Sequence, residues 1–122
     1  MANQVQYAVT WTINPGQAET FKSLAQAAIQ AVQQNEPKMV GYHWYYSDDQ
    51  TTCQLLEWYA DPDGIAHHIE HIGPLLGKLL EVSQIARFEV FGDISPQSQQ
   101  ALAPFNDAFG IKYFGHGGGF TR

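Results

Sequence analysis

Positive charge is scarce in this chain. Six Lys and Arg stand against twelve Asp and Glu, for a net charge of -6. With no surplus of cations to neutralise phosphates, nucleic acid is disfavoured as a partner, and so is an anionic membrane surface. Cysteine is nearly absent. Cys53 stands alone, so no internal disulfide can form, and a reducing, cytoplasmic setting is expected. No apolar run approaches the roughly 20 residues that a membrane-spanning helix needs. The opening MANQVQYAVTW lacks the basic start and apolar core of a signal peptide. No flavin or nicotinamide fingerprint appears. The Gly115-His116-Gly117-Gly118-Gly119 run follows no strand–helix pattern and lacks the ending of a phosphate loop. What the chain does have is a globular composition. Its 122 residues are 44% hydrophobic and 13% aromatic, enough for one domain with a real core.

The hydrophobic period changes along the chain. From Gln4 to Ile13 it is two: Val5, Tyr7, Val9, Trp11 and Ile13 face one way, which predicts a half-buried strand. Asn14-Pro15-Gly16 ends it as a turn. Phe21, Leu24, Ala25, Ala28, Ile29 and Val32 then fall at helical spacing. Glu36-Pro37 stops this helix, because proline disfavours helical geometry in the residue before it. Val40 to Ser47 and Thr51 to Tyr59 read as two strands of an antiparallel hairpin around Asp48-Asp49-Gln50. Val40, Tyr42, Trp44 and Tyr46 are expected on one face of the first, Gly41, His43 and Tyr45 on the other. Asp61-Pro62 is a helix start. Ile65, Ile69, Ile72, Leu76, Leu79 and Leu80 are expected as the buried stripe of that helix. Gly73-Pro74 predicts a kink or a break into two shorter helices. Ile85 to Ile94 is a fourth strand.

The order is βαββαβ, a ferredoxin-like α+β fold: an antiparallel sheet with both helices on one face. The other face also carries large apolar residues, which predicts pairing with the sheet of a second subunit. Residues 1–94 form this unit. Residues 95–122 form a C-terminal extension with a short helix after Ser95-Pro96 and an edge strand at Ile111–Phe114. The extension is expected to pack on the same domain or on the partner subunit.

These features resemble the antibiotic biosynthesis monooxygenase family, which includes quinol monooxygenases. The resemblance rests on the Pro15-Gly16 turn into the first helix, the Glu36-Pro37 pair before the second strand, and Glu57, Tyr59 and Asp61 followed by His68. It spans Val5 to Ile94. It implies a homodimeric α/β barrel that oxygenates a quinol, phenol or polyketide-like aromatic with O2 and without a cofactor. A non-catalytic barrel that binds a small hydrophobic ligand is the alternative. The chain departs from the family at Lys38, where a glycine is common, and at Ile72-Gly73. Haem-degrading relatives carry their helical ligand where Lys78 stands here, and an ammonium group is no usual haem ligand.

Three of the five histidines fall in one segment: His67, His68 and His71. His68 flanks the apolar stripe and can reach the space between helix and sheet. The resemblance makes it the catalytic base that takes a phenolic proton. His67 and Glu70 lean toward solvent. His67-x-x-Glu70-His71 also spells an inverted zinc-protease motif, but a catalytic zinc needs a third ligand that this fold does not offer, so no metal is expected. Trp44, Trp58 and Tyr59 are the candidate substrate-binding residues, since strand aromatics can line a pocket for a flat ring. His43 suits interface or pocket equally. Arg87 is expected to pair with Glu89 or Glu57, and Cys53 to be a buried, inert thiol.

Overall fold

The computed structural model describes residues 4–122; the first three residues of the expected 1–94 unit lie outside the described residues. The elements run β1 (Val5–Ile13), α1 (Ala18–Asn35), β2 (Met39–Tyr46), β3 (Thr52–Tyr59), α2 (Gly64–Val82), β4 (Ser83–Phe91), α3 (Pro96–Phe109) and β5 (Lys112–Phe114). They build one sheet in the order β2-β3-β1-β4-β5. The first four strands are antiparallel neighbours, and β5 adds to the edge parallel to β4. The fold is the expected ferredoxin-like α+β arrangement with a helix and strand appended.

One-sided burial explains the strands. Val5, Tyr7, Val9, Trp11 and Ile13 of β1 are buried, and their even-numbered neighbours are more exposed. On β3 the buried set is Cys53, Leu55, Glu57 and Tyr59. The buried residues of the helices, including Phe21, Ile65, Leu79 and Leu102, join this face in a single core. Trp11, Phe21 and Trp44 meet there ring to ring, with centroids 5.8–6.5 Å apart.

Three local expectations need correction, and one of two alternatives for α2 is removed. Val40 does not join the inward face. The register slips between Met39 and Gly41, so Met39 packs on the core while Val40 is left 57% exposed. A strand bulge of this kind shifts parity by one residue. The helix expected at Asp61-Pro62 starts at Gly64 instead. The Asp61 carboxylate accepts the Asp63 N–H at 2.9 Å and so closes a turn rather than capping the helix. Helix α2 is continuous through Gly73 and Pro74, so it does not break in two; Pro74 lies on its exposed side. Leu80 is 37% exposed, outside the buried stripe.

The C-terminal extension has clear local causes. Ser95 caps α3 by accepting the Ser98 N–H at 3.1 Å, Pro96 begins it, and Gly110 ends it in the left-handed region at φ 72°. The Ser98 hydroxyl donates to the Pro62 carbonyl at 2.6 Å, which ties the start of α3 to the loop before α2. Phe105 stands next to Phe88, so α3 covers the β4 side of the sheet. Among the described residues no helix is long and apolar enough to cross a membrane.

Candidate active site

The site sits where the end of α1, the middle of β3 and the first turns of α2 converge. Strand alternation turns Glu57 inward among apolar neighbours. The stripe of α2 turns His68 toward it. The halt of α1 before Pro37 places Glu36 on the far side of His68 from Glu57, between His68 and His71. All three side chains are buried: Glu36, Glu57 and His68 are 3%, 2% and 3% exposed. A buried charge is tolerated only when it is paired and hydrogen-bonded. Here the pairing is mutual. Nδ1 of His68 lies 2.8 Å from one oxygen of Glu36, and Nε2 lies 3.3 Å from Glu57. The second Glu36 oxygen lies 2.6 Å from Nδ1 of His71, which is partly exposed. On the other flank the Tyr59 hydroxyl is 2.6 Å from Glu57 and 2.8 Å from the Tyr7 hydroxyl. Tyr59 has one proton to give. Donated to the carboxylate, it leaves the Tyr59 oxygen to accept from Tyr7.

These contacts set the proton affinities. Burial alone would raise Glu36, but the hydrogen bonds and charges of His68 and His71 outweigh it and hold this carboxyl below its ordinary range. An ionised Glu36 can only accept, so both Nδ1 atoms carry hydrogen. Burial would lower His68, but the charge of Glu57 and the bond and charge of Glu36 raise it. Glu57 is raised: burial outweighs the His68 charge and the hydrogen bonds of Tyr59 and Tyr7. His68 and Glu57 together therefore have a high capacity for protons. Burial, with the nearby Glu57 charge, also pushes Tyr7, Tyr42 and Tyr59 above the usual phenol range, so these hydroxyls stay protonated.

His68 and Glu57 open onto a cavity of about 40 Å³ between α2, α3 and the inner face of the sheet. Its wall is otherwise almost wholly apolar, with Trp44, Ile69, Leu76 and Phe105 around it. The volume is well below the roughly 300–1,000 Å³ of pockets that hold drug-sized ligands. The Trp44 indole lies against Tyr42, whereas Trp11, also on the wall, has an indole N–H without a protein partner. A buried donor left unpaired costs about 1–3 kcal/mol, so an acceptor oxygen brought in by a ligand would be favourable there.

The candidate residues divide on this geometry. His68 and Trp44 line the cavity. Tyr59 does not: it lies behind Glu57, fully buried, with its hydroxyl used inside the protein. Trp58 does not either. It follows Glu57 by one residue, so it faces the opposite side of the sheet, where it meets His43 ring to edge at 6.0 Å. Arg87 pairs with Glu89 at 3.3 Å, not with Glu57. Cys53 is buried, and burial pushes its thiol up to about 12. His67 stacks on His71 with ring centroids 6.1 Å apart, and no group of three or more metal-binding side chains occurs among the described residues. Tyr42 was placed by the sequence only on the inward face of its strand, and Glu36 only at the end of the first helix and in the Glu36-Pro37 pair; neither was read as a site residue.

Fold and site together define a ferredoxin-like α+β protein with an enclosed acid–base cluster on an apolar cavity. The sequence model of the antibiotic biosynthesis monooxygenase family matches residues 7–71, just over half of the chain, and the chain belongs to that family. No curated protein matches it. Among solved structures, MupZ from Pseudomonas fluorescens is similar over 99% of this chain and 96% of that one, at 21% identity and a TM-score of 0.82. SnoaB, a cofactor-independent oxygenase from Streptomyces nogalater, is similar over 77% of this chain and 96% of its own, at 16% identity and a TM-score of 0.66. Rv0793 from Mycobacterium tuberculosis is similar over 76% and 97%, at 18% identity and a TM-score of 0.66. At such identities the likeness is one of fold.

Proposed function

We propose that the protein is a monooxygenase acting on a quinol, phenol or polyketide-like aromatic, with no cofactor of its own. The observation that carries this reading is the buried His68–Glu57 pair on the wall of an apolar cavity. Family membership supports the reaction type. The raised proton affinity of both groups lets the pair accept a proton, and a phenolic O–H is the proton on offer. The unpartnered Trp11 indole N–H suits a second oxygen on the same ring system.

The resulting phenolate is the reductant. For a simple phenol, O2 adds at a ring carbon bearing hydrogen. One oxygen atom remains as a quinone carbonyl, and the other leaves as water with the two hydrogens lost from O–H and C–H. The substrate supplies all four electrons. The proton held on His68–Glu57 returns to the departing oxygen. The dry cavity strengthens each electrostatic contact and shields the anion from solvent.

In this reading residues 1–94 supply the acid–base groups, and residues 95–122 close the cavity through Phe105. The outer face of the sheet, with His43, Tyr45, Leu56 and Trp58, supports pairing with a second copy of the chain into a homodimeric barrel. The lone, buried Cys53 suits a cytoplasmic setting.

Oxygen uptake with a panel of phenols and quinols, in metal-free buffer, tests the activity. Wild type should consume O2, and His68→Ala should lose about 10²–10⁴-fold in rate, the usual worth of a positioned acid–base group. A wild-type protein that binds these rings and consumes no O2 would be a binding protein, and the enzyme reading would fail.

A further inference from the structure

A buried carboxylate with no lysine or arginine beside it needs a reason. Glu36 follows the last residue of α1, where unpaired backbone carbonyls already concentrate negative charge. The nearest cation in sequence, Lys38, lies beside Asp61 instead, at 3.5 Å. Glu36 is thus offset by two imidazoles alone, one on each oxygen. Both come from α2, three residues apart, so a single helical turn clamps the carboxylate on both sides.

We propose that Glu36 is the positioning residue of this site: one oxygen holds Nδ1 of His68, the other is tied to His71 near the surface, and Nε2 of His68 is thereby made the nitrogen that exchanges protons with the cavity. The inference rests on His68 being the acid–base group of the proposed reaction, and it assigns that group's orientation and tautomer. A carboxylate behind an imidazole does the same in hydrolytic triads, where it fixes the tautomer without itself reacting. The aromatic rings support the alignment. Tyr42 and Tyr59 approach the His68 ring edge to face, with centroids at 5.8 and 6.0 Å, and keep it from turning.

The groups that can influence His68 are few. They are Glu36 at the end of α1, Glu57 and Tyr59 on β3, Tyr42 on β2, Tyr7 on β1, and His71 and His67 on α2. On α3 and β4 the cavity is lined by Ile85, Phe88 and Phe105, which carry no charge.

Nitrogen-15 spectra of the histidine rings, followed across pH, test this without reference to turnover. In wild type the neutral ring of His68 should carry its hydrogen on Nδ1, with Nε2 as the titrating nitrogen. Glu36→Gln should lower the midpoint of His68 by at least about one pH unit, the usual effect of removing an adjacent opposite charge. Glu36→Asp, which keeps the charge, should recover part of that loss. In turnover, Glu36→Gln should lower kcat with little change in KM, since the carboxylate does not touch the cavity. An Nε2–H tautomer in wild type overturns the proposal, and that measurement needs no variant to fold. An unchanged His68 midpoint in folded Glu36→Gln overturns it as well. Ring spectra that behave as stated in a protein that never consumes O2 would uphold this assignment and sink the monooxygenase reading alone.

Discussion

Tyr59→Phe tests the electrostatics of the site by removing a single oxygen atom. The ring stays, so its stacking on Tyr7 at 5.3 Å is retained. What goes is the hydroxyl that donates to Glu57 at 2.6 Å and meets the Tyr7 hydroxyl at 2.8 Å. A neutral buried hydrogen bond contributes about 1 kcal/mol and one to a charged group about 1.5–3 kcal/mol. Allowing for relaxation around the lost atom, the variant should be less stable by about 2–3 kcal/mol. For a chain of this size each kcal/mol lowers Tm by roughly 3–5 °C, so a fall of about 6–15 °C is expected. The loss should also depend on pH. The Tyr59 hydroxyl helps hold Glu57 down against burial. Without it Glu57 rises further. A carboxyl raised on folding weakens the fold as pH climbs from its ordinary value of 4.5 through its folded value. The deficit should therefore be larger at about pH 8 than at about pH 5, measured by urea unfolding at both. A loss under about 0.5 kcal/mol, or one equal at the two pH values, would refute the assignment of this hydroxyl to Glu57. A higher KM for substrate with unchanged stability would instead return Tyr59 to the cavity wall.

The other predictions follow from single contacts. The wild-type fold should weaken at both ends of the pH range. The stability that Glu36 contributes is present above 4.5 and lost as pH falls through its lowered folded value. That of His68 is fully present below 6.5 and lost as pH rises through its raised folded value. Urea midpoints across pH should fall on both sides, and His68→Gln should flatten the alkaline fall. Gly41→Ala should displace Trp58, because the added Cβ would lie 2.7 Å from its ring. The indole can swing toward solvent, so the cost should be near 1 kcal/mol, the low end for overpacking; unchanged tryptophan fluorescence would contradict it. Cys53 should resist thiol reagents in the native state and react once urea unfolds the chain, since its thiol is buried and pushed up to about 12. Rapid native labelling would show that the strand opens locally.

The strands and helices were legible because each buries one face, and burial writes a period into the sequence. Val5 to Ile13 reads correctly for that reason, and so does the α1 stripe. Val40 was misplaced because a bulge alters parity through the backbone, with no side-chain signature to announce it. Trp58 shows a different limit. Residue type pointed to a pocket, while parity with Glu57 and Tyr59 already placed it on the other face. The period was the better guide, since an aromatic ring suits a core, an interface or a cavity equally well.

Glu36 shows the opposite limit. In sequence it is accounted for as the residue that stops a helix before Pro37 and as half of the Glu36-Pro37 pair of the resemblance, with no chemical role. Its partners lie 32 and 35 residues away on another helix. Nothing local distinguishes a carboxylate that ends a helix in water from one that ends it between two imidazoles. The difference arises only when α1 and α2 pack side by side, which brings the end of one against the first turns of the other. Glu57 was visible only through the family resemblance, and His68 through that and as a histidine beside an apolar stripe. The residue that joins their chemistry to the surface was hidden by having a sufficient local explanation. In a fold built from two helices over one sheet, polar residues at helix ends therefore need to be weighed against the facing helix before they are set aside as caps.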